Sequence, residues 1–276
     1  MTERNRWPMP HSLAEKYDAY VASGALPAAP RVAATVLLLR AADAGFEVYA
    51  LRRAATMAAF GGMYAFPGGS VDPADADAAV GWAGPPRAEW AGRLALPAPQ
   101  AGAVVAAAVR EVFEEAGVLL AGPTPDTVLA DVDTPGWEAA RQGLLARERS
   151  LTGVLTDAGL VLRSDLLRPW ARWVTPKFEP RRFDTYFFVA LLPEGQRPRD
   201  VSGEADETVW IAPDQAVARH ERGEMPMLPP TLTTLTELAA CPDLTAAWSA
   251  SGRRDVSRPI EPVVERGSDG AAFAVF

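Results

Sequence analysis

The sequence is short of cysteine, histidine and long hydrophobic runs, and each shortage excludes a class of site or location. Cys241 is the single cysteine, which excludes an intramolecular disulfide and a cysteine-cluster metal site. His11 and His220 are the two histidines, both in polar settings, so we expect neither a histidine-based triad nor a zinc site. The longest apolar runs, 32–39 and 101–109, are too short to cross a bilayer. Any chemistry must therefore depend on carboxylates.

The charge balance argues against a nucleic-acid partner. The formal net charge is -8 at pH 7, whereas a protein that neutralises phosphates along a nucleic acid is ordinarily basic. A local basic pocket for a small phosphorylated ligand is compatible with this charge. The first eight residues have no apolar core and do not read as a secretory signal. We therefore expect a cytoplasmic protein without a membrane segment.

The most informative stretch is 110–118, Arg-Glu-Val-Phe-Glu-Glu-Ala-Gly-Val. Apolar residues spaced three and four positions apart predict a helix with a core-facing stripe, which Gly117 ends. The stripe consists of Val105, Ala108, Val109, Val112, Phe113 and Ala116. Glu114 and Glu115 lie within about 60° of Glu111 around the helix axis, so three carboxylates share one face. They form either a solvated acidic face, with Arg110 paired to Glu114, or a site for a divalent cation.

The remaining patterns predict an α/β protein with a mixed sheet between helices. Apolar, partly β-branched runs predict strands at 32–40, 46–52, 64–66, 170–174, 182–192 and 208–211. Helical spacing predicts helices at 11–23, 87–94, 135–149, 151–158, 214–220 and 231–239. A hairpin is expected between the first two strands, and 54–63 reads as a glycine-rich loop.

Changes of composition predict the domain organisation. Residues 1–30 are expected to form an N-terminal helical arm, 31–240 the main domain and 241–276 a C-terminal tail. From Ala250 the tail is polar and weakly patterned, so we expect a meandering or partly ordered segment. Residues 76–100, which glycine and proline interrupt, are expected to form an insertion packed on the surface.

Gly68 and Gly69, followed by acids and then by the stretch 110–118, resemble the signature of the Nudix hydrolase family. That signature has a glycine, five residues, a glutamate, seven residues and then Arg-Glu-hydrophobic-any-Glu-Glu-any-Gly-hydrophobic. Its second half matches here at every fixed position. In the first half, Asp75 stands where the signature has glutamate, with Asp72 as a neighbouring acid. Arg110 follows Gly69 by 41 positions instead of 14, so an insertion of 27 residues splits the motif.

One branch of the family, which resembles peroxisomal coenzyme A diphosphatases, carries such an insertion, and the chain is similar to it elsewhere. The similar segments are 66–72, 173–176, 181–185, 204–210 and 229–231. The resemblance implies a Nudix-type α/β/α sandwich and metal-dependent hydrolysis of a diphosphate linkage in a nucleoside diphosphate derivative, with coenzyme A or acyl-CoA as the first substrate to test. The alternatives are NADH, ADP-ribose or another nucleotide diphosphate as substrate, or a nucleotide-sensing domain that does not hydrolyse. Family members are often homodimers, so a homodimer stays open.

The resemblance also implies a metal site and an orienting arginine. The implied ligands of Mg²⁺ or Mn²⁺ are the carboxylates of Glu111, Glu114 and Glu115 and the carbonyl of Gly68. Carboxylate and carbonyl oxygens are the ligands that these ions prefer. Glu114 is also a catalytic candidate, and Arg110 is expected to orient the glutamates.

A base and the substrate-binding groups are implied in later segments. Glu207 is the candidate base, with Glu204 as its rival. Arginine binds phosphate oxygens bidentately, so arginines near the motif are candidate phosphate clamps. The substrate-binding candidates are Arg52, Arg182 and Phe183, with Arg53 and Arg181 as further arginines. For Phe183, a place in the core is the alternative to stacking on a base.

Overall fold

The computed structural model describes residues 6–55, 61–199 and 205–276. Its helices are α1 (His11–Ser23), α2 (Arg87–Leu94), α3 (Ala98–Ala116), α4 (Pro135–Leu145), α5 (Leu151–Asp157), α6 (Pro213–Glu221), α7 (Pro229–Ala239) and α8 (Leu244–Ser251), with 3₁₀ turns at Pro73–Ala76 and Ser164–Leu166. Its strands are β1 (Arg6–Pro8), β2 (Arg31–Ala41), β3 (Phe46–Arg53), β4 (Tyr64–Ala65), β5 (Gly68–Ser70), β6 (Trp82–Ala83), β7 (Ala121–Gly122), β8 (Val161–Arg163), β9 (Leu167–Val174), β10 (Phe183–Leu191), β11 (Ala205–Ile211), β12 (Val263–Arg266) and β13 (Ala272–Val275).

The central sheet is mixed, as predicted. Its strands follow the order β11-β3-β2-β10-β9. Strands β2 and β10 are parallel, whereas β10–β9, β3–β11 and β2–β3 are antiparallel. Strand β4 pairs with β3 and β5 pairs with β2. The predicted hairpin between β2 and β3 is confirmed, and residues 56–60 of the predicted glycine-rich loop lie outside the described residues.

The side chains of β2 alternate between two cores, which makes the fold an α/β/α sandwich. Val36 and Leu38 belong to a core cluster that is built largely from α3. Leu37 and Leu39 belong to a second cluster, to which α6, α7 and α8 contribute. A strand buried on both faces needs apolar residues at successive positions, which explains the continuous apolar run of β2. The predicted fold class is therefore confirmed.

Most of the predicted insertion 76–100 lies at the surface, but two side chains of its helix α2 reach the core. Helix α2 has the predicted bounds, but Trp90 and Leu94 on it are fully buried in the α3-side core. The ring of Trp90 meets that of Phe188 edge to face, with the centroids 6.0 Å apart. Strand β6 also pairs with β8. The two apolar side chains lie one helical turn apart and fill a place in the core, so the insertion is part of the hydrophobic structure.

The C-terminal tail is also more regular than its composition predicts. Helix α8 lies at its start, and β12 and β13 form an antiparallel hairpin. Strand β13 pairs on its other side with β1. The ring of Phe276 packs against Trp173 of the central sheet, with the centroids 4.9 Å apart. The expectation of a partly ordered tail is therefore wrong, because strand pairing to the N-terminal segment supplies the order that the tail's own pattern lacks.

Over the described ranges, we find no helix that combines the length and the apolar character needed to span a membrane. The cytoplasmic location and the domain boundaries remain predictions.

Candidate active site

Helix α3 carries the acidic stretch into the interior of the protein. The predicted apolar stripe is fully buried, and Gly117 caps the helix in the left-handed conformation, with φ 66°. The charged residues Arg110, Glu111 and Glu114 are buried as well, at 7, 7 and 6% exposure. The alternative of a solvated acidic face is therefore wrong, and buried charge on this scale requires close ionic partners.

Arg110 is the centre of an ionic cluster. Its Nη1 donates to Oε2 of Glu114 over 3.0 Å and lies 2.8 Å from Oε1 of Glu111. Its Nη2 donates to the carbonyl of Ser70 over 2.9 Å. The predicted pairing of Arg110 with Glu114 is confirmed. Because one guanidinium contacts both glutamates and the backbone of β5, it fixes the position of the acids relative to that strand.

Asp75 completes this cluster from the other side of the insertion. Its carboxylate accepts from Nε and Nη2 of Arg110 over 2.9 and 3.0 Å. It also accepts from the backbone N–H of Asp72 over 2.8 Å, within the 3₁₀ turn Pro73–Ala76. The sequence left the role of Asp75 open. The structure shows that this bidentate pair joins the two halves of the split motif across the 27 additional residues.

Gly68 and Gly69 allow β5 to approach both β2 and α3. A Cβ on Gly69 would lie 2.5 Å from Oε1 of Glu111, and one on Gly68 would lie 2.5 Å from the carbonyl oxygen of Ala34. The Gly68 N–H donates to Oε2 of Glu115 over 3.0 Å. In the antiparallel pairing with β2, the neighbouring Pro67 carbonyl bonds to β2, so alternation turns the N–H and the carbonyl of Gly68 outward. Neither position therefore has room for a side chain.

The carboxylates of this cluster exceed the positive charge available to them. Burial raises the pKa of Glu111 to about 7 against the opposing effect of Arg110, and the neighbouring Glu114 raises it further. Burial also raises the pKa of Glu114, again against the opposing effect of Arg110. One guanidinium contacts Asp75, Glu111 and Glu114. Buried carboxylate oxygens that are short of positive charge fit a hard divalent cation by the chemistry of the donor set.

The predicted ligands are not already arranged around a common point. Within the described ranges, no group of three or more Asp, Glu, His or Cys side chains is placed to hold a metal ion. The hydrogen bonds explain this: Glu114 points to Arg110, and Glu115 points to the N–H of Gly68. The metal site of Glu111, Glu114, Glu115 and Gly68 therefore stays a prediction.

A cleft of about 460 Å³ opens beside the cluster. Arg110, Glu111 and Glu114 line it from α3, and Ser70 at the end of β5 and residues 72–75 line it from the other side. The end of α4, the turn after it and the start of α5 supply the remaining lining: Leu144, Leu145, Arg147, Arg149, Ser150 and Leu151. Sequence reasoning did not identify these residues as part of the site, because the predicted helix 135–149 extended through most of this turn.

Glu207 lies in a different environment from the α3 acids. Its Oε2 accepts from the hydroxyl of Tyr64 over 2.8 Å, and burial together with Glu207 raises the pKa of Tyr64. Val209, two positions along β11, packs in the core on the α6–α8 side, and alternate residues of a strand share a face. The structure therefore places Glu207 on the opposite face of the sheet from α3. Glu204, the rival candidate base, lies outside the described residues.

The candidate phosphate clamps do not lie in the cleft. Arg182 is buried and donates to the carbonyls of Thr175 and Ala28 and to the carboxylate of Glu261. The three guanidinium nitrogens of Arg182 therefore connect the linker before β2, the loop before β10 and the C-terminal segment. These bonds contradict a role of Arg182 as a phosphate clamp. Arg52 is exposed beside Tyr64 and Glu207 in the strand register.

The other substrate-binding candidates are also outside this cleft. Phe183 is 36% exposed at the start of β10, which contradicts the alternative of a core position. Arg181 is exposed in the preceding loop. The Nε of Arg53 is buried without a hydrogen-bond partner in the described part of the chain. None of these residues belongs to the lining of the cleft.

Comparisons with known proteins agree with this fold. The NUDT19 Nudix domain family matches residues 87–238. "Acyl-coenzyme A diphosphatase NUDT19" of Homo sapiens is 30% identical over 233 residues, which cover 71% of this chain and 61% of that protein. "Putative nudix hydrolase 7" of Caenorhabditis elegans is 29% identical over 157 residues, which cover 56% of this chain and 50% of that protein.

A solved structure is similar over most of the chain. It is the crystal structure of a NUDIX hydrolase from Alicyclobacillus acidocaldarius, with 32% sequence identity and a TM-score of 0.67, covering 84% of this chain and 99% of that one. By contrast, the matches to curated relatives span between 38% and 61% of the relatives' own length.

Proposed function

Because the chain belongs to the NUDT19 branch of the Nudix hydrolase family, we propose that it hydrolyses the diphosphate linkage of a nucleoside diphosphate derivative. The observation that supports this most directly is the cluster of Asp75, Glu111 and Glu114 around Arg110 at the floor of a cleft of about 460 Å³. Such a cleft is large enough for part of a nucleotide-sized ligand. Its buried acids are the groups from which a diphosphatase site can be built.

A divalent cation, Mg²⁺ or Mn²⁺, is part of this proposal. Glu111, Glu114 and Glu115 would hold it, with the Gly68 carbonyl as a further ligand, since that carbonyl turns away from β2. When bound, the ion would offset the charge of the diphosphate oxygens and lower the pKa of water. The identity of the metal stays a prediction.

The protein's own groups have three tasks in this reaction. Arg110 orients Glu111 and Glu114, because it contacts both carboxylates and the Ser70 carbonyl. Glu114 lines the cleft while its Oε2 is bound by Arg110, so we assign acceptance of the proton from the attacking water to its Oε1. Asp75 positions Arg110 through its bidentate contact. Glu207 is not retained as the base, since it lies on the other face of the sheet.

Coenzyme A or an acyl-CoA is the first substrate to test, because one relative is named an acyl-coenzyme A diphosphatase. NADH, ADP-ribose and other nucleotide diphosphates are the alternatives within the same chemistry. A nucleotide-sensing domain that does not hydrolyse is the alternative from a different class. The buried acids favour an enzyme, because a binding module would not need three carboxylates at the cleft.

The test is incubation of the full chain with coenzyme A, NADH and ADP-ribose, with and without Mg²⁺ or Mn²⁺, and identification of the products by mass spectrometry. We expect metal-dependent cleavage of a diphosphate linkage, which gives 3′,5′-ADP and phosphopantetheine if the substrate is coenzyme A. Cleavage that is unaffected by chelation would contradict the metal, and nucleotide binding without turnover would favour the sensor. Light scattering on the same sample decides between a monomer and a homodimer, which the sequence leaves open.

A further inference from the structure

The end of helix α4 has an unusual residue at the position where a helix commonly takes glycine. The N–H of Arg147 donates to the carbonyl of Leu144 over 2.8 Å, and that of Glu148 donates to the carbonyl of Gly143 over 2.9 Å. These two bonds define a Schellman motif, in which Arg147 is the first residue after the cap. Arg147 accordingly has a φ of 57°.

A left-handed backbone conformation is energetically unfavourable for a residue with a Cβ, whereas glycine adopts it readily. Elsewhere the chain follows the common solution: Gly24 after α1 and Gly117 after α3 have φ values of 62° and 66°. In the described part of the chain, Ala95 is the one other residue with a Cβ that has a positive φ. Strain of this kind at the edge of a cleft points to a role for the side chain that glycine would lack.

The side chain of Arg147 has donors available at this cleft. Arg147 lines the same cavity as Glu111 and Glu114, and its side chain is 79% exposed. Its Nε lies 3.7 Å from Oδ2 of Asp72, which is beyond hydrogen-bond distance. The two other arginines of the lining differ, since Arg110 is bound by the acids and Arg149 donates to Asp157.

A diphosphate entering this cleft meets an excess of carboxylates and needs positive charge besides any metal. Guanidinium binds phosphate oxygens through a planar pair of donors, which makes arginine well suited to this task. We propose that Arg147 binds a phosphate group of the substrate and sets the affinity of the cleft for nucleoside diphosphates. This inference rests on the proposed function, because it assigns the anion that the cleft receives.

The test compares Arg147→Ala, Arg147→Lys and Arg147→Gly with Arg258→Ala, a control at an exposed arginine of the C-terminal segment. Four quantities are measured: kcat and KM on the diphosphate that the wild type cleaves, the Kd for ADP by calorimetry with Ca²⁺ in place of Mg²⁺, and the melting temperature. For Arg147→Ala we expect KM and Kd to rise about 10- to 100-fold, as for loss of a charge-assisted contact. The kcat should change less than about threefold, since the residue contacts substrate in the ground and transition states alike.

The other variants separate the guanidinium from the backbone. Arg147→Lys should recover part of the affinity, because it keeps the charge and loses the bidentate fork. Arg147→Gly should bind ADP as weakly as Arg147→Ala does. It should melt at a higher temperature than Arg147→Ala, since glycine relieves the strain of the left-handed backbone. Arg258→Ala should match the wild type. A Gly variant with wild-type KM and Kd, or an Ala variant within about twofold of wild type in both, would overturn the role of Arg147.

The two proposals fail in different ways. Turnover that depends on Glu114 but not on Arg147 contradicts only the role of Arg147. No turnover of any diphosphate by the wild type contradicts the proposed function, and the Kd for ADP then still decides whether Arg147 binds phosphate.

Discussion

Acids on the two faces of the central sheet lie in different environments, since Glu111 and Glu114 on the α3 face are buried whereas Glu207 on the α6–α8 face is exposed. On the α3 face, Asp75, Glu111 and Glu114 share the guanidinium of Arg110, and burial raises the pKa of both glutamates. On the α6–α8 face, the carboxylate of Glu207 accepts a hydrogen bond from the hydroxyl of Tyr64. A carboxylate with a matched donor is a stable structural element, whereas several carboxylates with one cation are available for chemistry. Burial and the number of donors available to each carboxylate therefore distinguish these acids better than their distance from the motif in the sequence.

The largest expected effect contrasts the two faces directly. Glu114→Gln should lower kcat/KM on the cleaved diphosphate about 10²- to 10⁴-fold, since it removes the proposed proton acceptor and a metal ligand. Glu207→Gln should stay within about twofold of wild type, because the Gln carbonyl can still accept from Tyr64. Steady-state kinetics at saturating Mg²⁺ measures both. Equal losses in the two variants would contradict the assignment of the site to the α3 face.

A second readout examines Glu207 alone. Because the carboxylate of Glu207 raises the pKa of Tyr64 in addition to burial, Glu207→Gln should move that pKa toward its ordinary value. Spectroscopic titration of the tyrosines in both proteins measures the shift. An unchanged titration curve would show that the hydroxyl and the carboxylate are not in contact.

The next largest effect concerns the insertion as part of the α3-side core. Trp90→Ala should lower the free energy of unfolding by about 3–5 kcal/mol, because it leaves a cavity beside Phe188. Glu89→Ala on the exposed side of the same helix should cost about 1 kcal/mol or less, since it loses one surface ion pair with Arg93. Urea denaturation measures both. Similar free energies of unfolding for the two variants would contradict a contribution of the insertion to the core.

A smaller effect is expected from the contact that joins the split motif. Asp75→Ala should cost about 3 kcal/mol, because it removes a bidentate partner from the buried Arg110. Asp77→Ala, an exposed acid two positions on, should cost about 1 kcal/mol or less. Thermal unfolding of the two variants measures the difference. If they unfold alike, the carboxylates of α3 suffice for Arg110 and the first half of the motif contributes little.

The sequence predicted most of the fold because its main elements have clear local signals. Strand β10 and helix α2 begin and end within one residue of their predicted bounds, since β-branched and aromatic runs or helical spacing identified them. The end of α4 was placed too late, because Arg147 stands where glycine would have marked it. The order of the tail was also missed, since β12 and β13 depend on pairing with β1, a contact between distant residues that no local pattern contains.

The candidate site was predictable to the extent that one helix carries it. The sharing of a face by Glu111, Glu114 and Glu115 follows from helical geometry, and the pairing of Arg110 with Glu114 follows from their spacing. The partner of Arg110 across the insertion and the position of Glu207 depend on tertiary structure. The turn at Arg147 reaches the cleft only because α4 and α5 pack beside α3, which the spacing of residues within each helix does not show.

The pairing of β1 with β13 has a consequence for the order of folding. Arg6 and Val275 are neighbours in the register, so β1 has no partner until the residues of β13 have been synthesised. A short strand without a partner is unstable in water, and contacts of such sequence separation form late because their loop-closure entropy must be offset first. The sheet of β1, β13 and β12 should therefore form after the central sheet and open before it. Hydrogen exchange would then show weak protection of β1 and strong protection of β2 and β10.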